Sequence, residues 1–130
     1  MIWEPHEGLK ESFRLILEKE YRILFANTLE EIPDYCSHQI DLLILNADEA
    51  PATLKAVASI KEKRSDLKIL LITTNLQLEF QIDVLRLGTD IGFREKPWDA
   101  EDLKDKIDTM IRGYALERHT HIVRIKHSRE

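Results

Sequence analysis

Apolar residues along this chain alternate between helical spacing and short continuous runs. The runs cover 21–26, 40–45, 67–73 and 91–94, and such segments are typical of strands covered on both faces. Helical spacing begins near Leu9 after Pro5, resumes at Thr28, where Pro33 predicts a short helix, and recurs around 54–58, 80–87 and 99–114. The pattern therefore predicts one helix followed by four strand–helix units.

This order of elements is typical of an α/β protein with a mostly parallel sheet. Right-handed crossovers would place helices on both faces of the sheet. Ligands of such proteins bind beyond the carboxyl ends of the strands. Candidate functional residues are therefore expected directly after the strands, at Asn27 and in 46–49, 73–75 and 95–98.

Composition narrows the function classes without naming one. The chain has 130 residues, which suggests a single domain, and a net charge of −5, which gives no overall attraction to nucleic acid or to an anionic membrane. Cys36 is the only cysteine, so we expect no intrachain disulfide, a small buried thiol and a cytoplasmic location. No apolar run approaches the ~20 residues needed to span a bilayer. No glycine-rich phosphate loop is present, and we expect no cofactor.

The end of the chain differs from the rest. We divide the sequence into a domain at 1–115 and a basic tail at 116–130, which has four basic side chains, two acidic ones and three histidines. Residues 121–127 alternate weakly, so we interpret the tail as either an extra strand or a dimerisation element. We expect its histidines to be solvated and not to bind a metal, and we keep nucleic-acid binding by the tail as a rival function.

Three stretches at the strand ends share one resemblance. They are Asp41–Asn46, Ile69–Thr74 and Phe93–Trp98, and Glu4-Pro5-His6 adds an acidic turn before the first helix. Together they resemble the response-regulator receiver (CheY-like) family over about residues 2–115. The resemblance implies a flavodoxin-like three-layer sandwich and a role in two-component signal transduction.

The family's chemistry is phosphorylation of an aspartate. Carboxylates hold Mg²⁺, and the metal and a lysine neutralise the phosphoryl group. A threonine hydroxyl then follows the phosphoryl oxygen, and an aromatic on the last strand repacks. The resemblance places Asn46 at the acceptor position, Thr73 and Phe93 as switch-like residues, and Lys96 as the lysine, with a cis bond to Pro97.

The reacting centre departs from this pattern. Asn46 carries a neutral amide, which is a very poor nucleophile. The family's acidic pair would align with Ile2–Trp3 or Trp3–Glu4, so Glu4 is the one carboxylate that remains. We therefore interpret the chain as a pseudo-receiver and not an enzyme. Asp48 and Glu49 lie nearby, either as a shifted acceptor or, as we favour, as solvated loop acids.

We also expect the family's first strand to be missing, because the chain begins where that strand would end. The empty central position would leave backbone groups unpaired, at a cost of ~1–3 kcal/mol each when buried. Three arrangements would avoid this cost. The flanking strands could pair directly, residues 121–127 could fill the position, or a second chain could supply a strand. A natural start upstream of Met1 is a further possibility.

We expect a signalling module that binds protein through a face formed by 76–87, 91–95 and 100–114. The partner would be a second copy, another signalling protein or an output domain, with no membrane involved. Two rivals remain open at this point. One is a conventional receiver phosphorylated at Asp48, and the other is a small α/β enzyme or ligand-binding protein that uses the crevice at the strand ends.

Overall fold

The computed structural model describes residues 1–35 and 39–112. Cys36 and the tail at 116–130 lie outside these ranges, so the predictions made for them stay predictions. The described elements are β1 (Ile2–Trp3), α1 (Glu7–Leu17), a 3-10 helix (Ile32–Tyr35), β2 (Leu43–Asn46), α2 (Ala50–Lys63), β3 (Ile69–Thr73), α3 (Leu78–Leu85), β4 (Ile91–Glu95) and α4 (100–112).

The strands form one parallel sheet in the order β1-β2-β3-β4. The register pairs Asn46 with Ile72 and Thr73 with Glu95, so the strands end at one common edge. Each parallel connection needs a crossover, which the intervening helices provide. The predicted α/β fold with a parallel sheet is confirmed.

The expectation of a missing first strand needs correction. Ile2 and Trp3 pair with β2, and Ile2 also forms a parallel bridge with Phe25. The N–H of Ile2 donates to the carbonyl of Leu24 (2.8 Å), and the N–H of Ala26 donates to the carbonyl of Ile2 (2.9 Å). Two residues thus hold the central position, so the flanking segments do not pair directly. The predicted strand at 21–26 is reduced to this single bridge.

The core lies in two layers, one on each face of the sheet. α1 and α4 cover one face with Phe13, Leu17, Leu103 and Ile107. α2 and α3 cover the other with Val57, Ile60, Phe80 and Val84. All five residues of β3 are buried, as expected for a continuous apolar run between two helical layers.

The amino end of the sheet contains an apolar cleft beside the short β1. Its volume is about 410 Å³, and Ile23, Leu42, Ile107 and Ile111 are among its lining residues. The amino group of Met1 donates to the carbonyl of Leu42 (2.9 Å) at the rim. Burial lowers the pKa of this amino group to about 6, although Asp41 opposes the shift. None of the helices in the described ranges is long and apolar enough to cross a membrane.

Candidate functional site

The parallel sheet brings residues from four separate segments together at its carboxyl edge. Glu4 follows β1, Asn46 ends β2, Thr73 ends β3 and Lys96 follows β4. Asp48 lies in the turn between β2 and α2. Hydrogen bonds and ion pairs join these side chains, which lie at or just after strand ends. Asn27, which the sequence analysis also named, lies apart from them, with its backbone N–H donating to Glu31 (2.9 Å).

Asp48 is the centre of the cluster. Its Oδ1 accepts hydrogen bonds from the Thr73 hydroxyl (3.1 Å), the Thr74 N–H (2.7 Å) and the Thr74 hydroxyl (3.1 Å). Its Oδ2 accepts from the Asn46 amide and the Lys96 ammonium, each at 3.2 Å. Both carboxylate oxygens are therefore bound by donors of the chain. Asp48 is an exposed loop acid, as the sequence analysis favoured, but its carboxylate is held by this cluster.

Glu4 is the second carboxylate of the cluster and is only 1% exposed. Its two oxygens lie 3.2 and 3.3 Å from Nδ2 of Asn46, and Oε1 lies 3.4 Å from Nζ of Lys96. The backbone N–H of His6 donates to Oε2 (3.1 Å). One ammonium thus lies between two carboxylates, which leaves the three charged groups with a net charge of −1.

These contacts keep Asp48 ionised. Burial disfavours the charged carboxylate and raises its pKa. The hydrogen bonds from the Thr74 N–H, Lys96 and Asn46 favour the charged form and together outweigh the effect of burial. The pKa of Asp48 is lowered to about 2 as a result. At neutral pH the site therefore contains a fixed negative charge held by fixed donors.

Asn46 positions Asp48. Its Oδ1 accepts the backbone N–H of Asp48 (3.0 Å), while its Nδ2 donates to the carboxylates of Asp48 and Glu4. An aspartate at position 46 would lack these N–H donors and would place a third carboxylate in the cluster. The amide is therefore matched to its two acidic neighbours.

The residues present do not fit the magnesium site implied by the resemblance. Mg²⁺ needs oxygen ligands in an octahedron at short distance. Here N–H groups of Asn46 and Lys96 lie between the carboxylates of Glu4 and Asp48 and point hydrogens at the same oxygens. Within 1–35 and 39–112, no group of three or more acidic, histidine or cysteine side chains is arranged to hold a metal.

Glu49 stays outside the cluster. Glu49 is exposed. Its backbone carbonyl accepts hydrogen bonds from the N–H (3.0 Å) and the hydroxyl (2.9 Å) of Thr53 at the start of α2. The interpretation of Glu49 as a loop acid agrees with this position. Thr74, by contrast, belongs to the cluster; the sequence analysis named it within 73–75 by its place after the buried strand, but gave it no specific role.

Of the two residues expected to be switch-like, Thr73 belongs to the cluster and Phe93 lies on β4. Thr73 is buried, and its carbonyl accepts the N–H of Lys96 (2.8 Å). Phe93 is half-buried and packs edge-on against Phe80, with ring centroids 6.5 Å apart. The Lys96–Pro97 bond is cis, as the resemblance implies. A switching role for Thr73 and Phe93 stays a prediction.

Comparison with solved structures identifies the fold. The chain is similar to a response regulator from Thermotoga maritima (18% identity, 87% of this chain and 96% of that chain, TM-score 0.76). It is also similar to a CheY-like response regulator receiver domain protein from Methanospirillum hungatei (22% identity, 85% and 90% coverage, TM-score 0.73). A third similar structure is the CheY-like protein TadZ from Pseudomonas aeruginosa (16% identity, 84% and 96% coverage, TM-score 0.69).

The chain therefore has the fold of CheY-like response-regulator receiver domains. No protein-family model matches the sequence, and no curated protein matches it. At these identities the likeness defines the fold and leaves the activity to be argued from the site.

Proposed function

We propose that this chain is a cytoplasmic module of two-component signalling that binds protein and works without aspartyl phosphorylation. The receiver fold supports the signalling class. The carboxyl edge of the sheet supports the loss of phosphorylation, because Asn46 ends the strand that leads to the acceptor in the resemblance. On this proposal the chain is a pseudo-receiver and not an enzyme.

The contacts of Asp48 carry the proposal. A carboxylate that attacks a phosphoryl donor needs an oxygen with a free lone pair and an open approach. Oδ1 of Asp48 already accepts three hydrogen bonds, and Oδ2 faces Asn46 and Lys96. Its low pKa further reduces its nucleophilicity. These features also argue against the alternative of a receiver phosphorylated at Asp48.

Incubation with a small phosphodonor, followed by intact-mass measurement, tests this part of the proposal. We expect no added phosphoryl group on the wild-type chain, while a conventional receiver treated in parallel gains one. A stoichiometric adduct that disappears in Asp48→Asn but persists in Glu49→Gln would show that the chain is a phosphorylatable receiver.

An apolar stripe on α3 supports the binding role. Leu78, Ile82 and Leu85 lie at helical spacing on one face and are 70%, 42% and 53% exposed. We call these three residues the α3 stripe. Large exposed aliphatic side chains in one line are typical of a surface that is covered in a complex. The α3 stripe belongs to the face predicted from the sequence.

We propose a second copy of this chain as the partner. Charges of both signs flank the α3 stripe, with Glu79 and Asp83 on α3 followed by Arg86. Within the surface predicted from the sequence, Arg94 of β4 also pairs with Asp102 of α4 (2.8 Å). A face with acidic and basic groups side by side can meet itself across a two-fold axis with opposite charges opposed. We therefore expect a symmetric homodimer.

Analytical ultracentrifugation of wild type, Ile82→Lys and Leu15→Lys tests the surface. Leu15 is the matched control, because it is an exposed leucine (71%) on α1. We expect Ile82→Lys to weaken the dimer at least tenfold, roughly 1.4 kcal/mol, and Leu15→Lys to leave it unchanged. A wild-type chain that sediments as a monomer, or an equal loss in both variants, contradicts the homodimer.

A further inference from the structure

We infer that Asp48 is a permanent internal ligand, whose carboxylate holds the β3–α3 loop and Lys96 in the arrangement that a bound oxyanion would otherwise impose. The inference rests on the proposed phosphorylation-independent function and deepens it. On this inference the site needs no added phosphoryl group to become ordered, because the carboxylate of Asp48 already supplies the anion.

The first observation is the kind of donor that converges on Asp48. One backbone N–H, two hydroxyls and an ammonium from two separate segments meet its carboxylate within 2.7–3.2 Å. Such a mixed set of N–H, O–H and ammonium groups forms charge-assisted hydrogen bonds to oxyanions. The set is filled by Asp48, which comes from a third segment.

The second observation links this anion to the binding surface. The loop after Thr74 is tied to the end of β4, because the N–H of Leu76 donates to the carboxylate of Glu95 (3.1 Å). α3 begins at Leu78, two residues later. The carboxylate of Asp48 therefore restrains the loop that places the first residue of the α3 stripe.

The third observation is open space beside the donors. A cleft of about 390 Å³ lies against Thr74, Lys96 and Trp98. A shortened side chain at position 48 would expose the same donors to this cleft, so a free oxyanion could reach them. Glu4 would still lie 3.4 Å from Lys96 and would repel that anion, so the emptied site binds an anion better once Glu4 is neutral.

Amide hydrogen exchange at Thr74 tests whether Asp48 holds the loop. We expect Asp48→Ala to speed exchange of this amide about tenfold or more, because the amide loses its hydrogen bond to a charged acceptor. Glu49→Ala removes the same charge from the neighbouring residue and should leave the Thr74 amide protected. Equal exchange in wild type and a folded Asp48→Ala protein would refute the inference.

Titration with inorganic phosphate, followed by NMR, tests the nature of the site. We expect no binding to wild type or Glu49→Ala, weak binding to Asp48→Ala, and binding at least tenfold tighter in Asp48→Ala/Glu4→Gln, with the Thr74 amide protected again. Adding Thr73→Val to that double variant should weaken binding about tenfold.

Two results separate this inference from the proposed function. If the folded double variant binds no phosphate, or if Thr73→Val changes nothing, Asp48 does not fill an oxyanion site, and the inference fails while the absence of phosphorylation can still hold. If the wild-type chain gains a phosphoryl group in the mass measurement, the proposed function fails, and the inference that rests on it fails as well.

Discussion

Two lysines, the buried Lys61 and the partly buried Lys96, lie at opposite ends of the sheet, and their partners differ. At the amino end, Nζ of Lys61 donates to the carbonyls of Ser65 (3.1 Å), Leu67 (2.7 Å) and Thr89 (2.6 Å). At the carboxyl end, Nζ of Lys96 contacts the side-chain carboxylates of Glu4 and Asp48. Both ends thus use one ammonium to join loops that are far apart in sequence.

The difference lies in what can change. The carbonyl oxygens bound to Lys61 belong to the backbone, carry no net charge and cannot be displaced by a free anion. The Lys61 contacts therefore have a structural role only. Burial lowers the pKa of Lys61, while Asp90 and Asp66 oppose the shift. Carboxylates are discrete anions, and another anion can replace one of them. The carboxyl end is therefore where function can arise, whereas the amino end holds the loops before β3 and β4.

Replacement of the amino-end lysine should give the largest loss of stability. Lys61→Met keeps the length of the side chain but leaves three carbonyls without their donor. We expect the free energy of unfolding to fall by about 3 kcal/mol, as measured by urea denaturation. Lys63→Met, an exposed lysine on the same helix, serves as the control and should change stability by less than about 0.5 kcal/mol. Similar losses in both variants would show that the hydrogen bonds of Lys61 to the three carbonyls add no special stability.

Replacement of the carboxyl-end lysine should cost less. Lys96→Met leaves the carboxylates of Glu4 and Asp48 close together without their cation, and Glu4 is buried. We expect a loss of about 2 kcal/mol in the free energy of unfolding, below the full cost of breaking a buried pair because Asp48 is 35% exposed.

The double variant Lys96→Met/Glu4→Gln provides the control for charge. Neutralising Glu4 removes the repulsion, so it should recover about 1 kcal/mol of the loss. A double variant that is less stable than Lys96→Met alone would show that the two carboxylates do not depend on Lys96 for their charge balance.

The smallest effect concerns the pH dependence contributed by Asp48. Its pKa in the folded chain is about 2, below its ordinary value of 3.8. The stabilisation is therefore complete above the ordinary value and is lost as the pH falls through about 2. Because the side chain is 35% exposed, we expect about 1 kcal/mol after allowance for solvent screening.

Urea denaturation of wild type and Asp48→Asn at several pH values measures this contribution. The stability difference should be near its maximum at about pH 5 and should approach zero only below about pH 2. Glu49→Gln should show no comparable trend. A difference between wild type and Asp48→Asn that does not change with pH would mean that the charge of Asp48 adds nothing to stability.

The sequence predicted the α/β class because its buried strands and amphipathic helices carry different periods. It also predicted that candidate functional residues lie directly after the strands, since ligands of parallel sheets bind beyond the carboxyl ends of the strands. Asn46 and Lys96 were named as candidate residues for the same reason, because each lies at or directly after the end of a predicted strand. Local patterns were enough for these features, because each depends on a residue's own position in a strand.

Only the tertiary structure decided the role of Asp48 and the fate of the first strand. The donors to Asp48 lie 25 or more residues away along the chain for Thr73, Thr74 and Lys96, so no local pattern could distinguish it from Glu49. Ile2 and Trp3 form a strand because neighbouring backbone on both sides satisfies their hydrogen bonds. Hydrogen bonds between distant segments exist only after the sheet has assembled, and that is why these two features were settled in three dimensions.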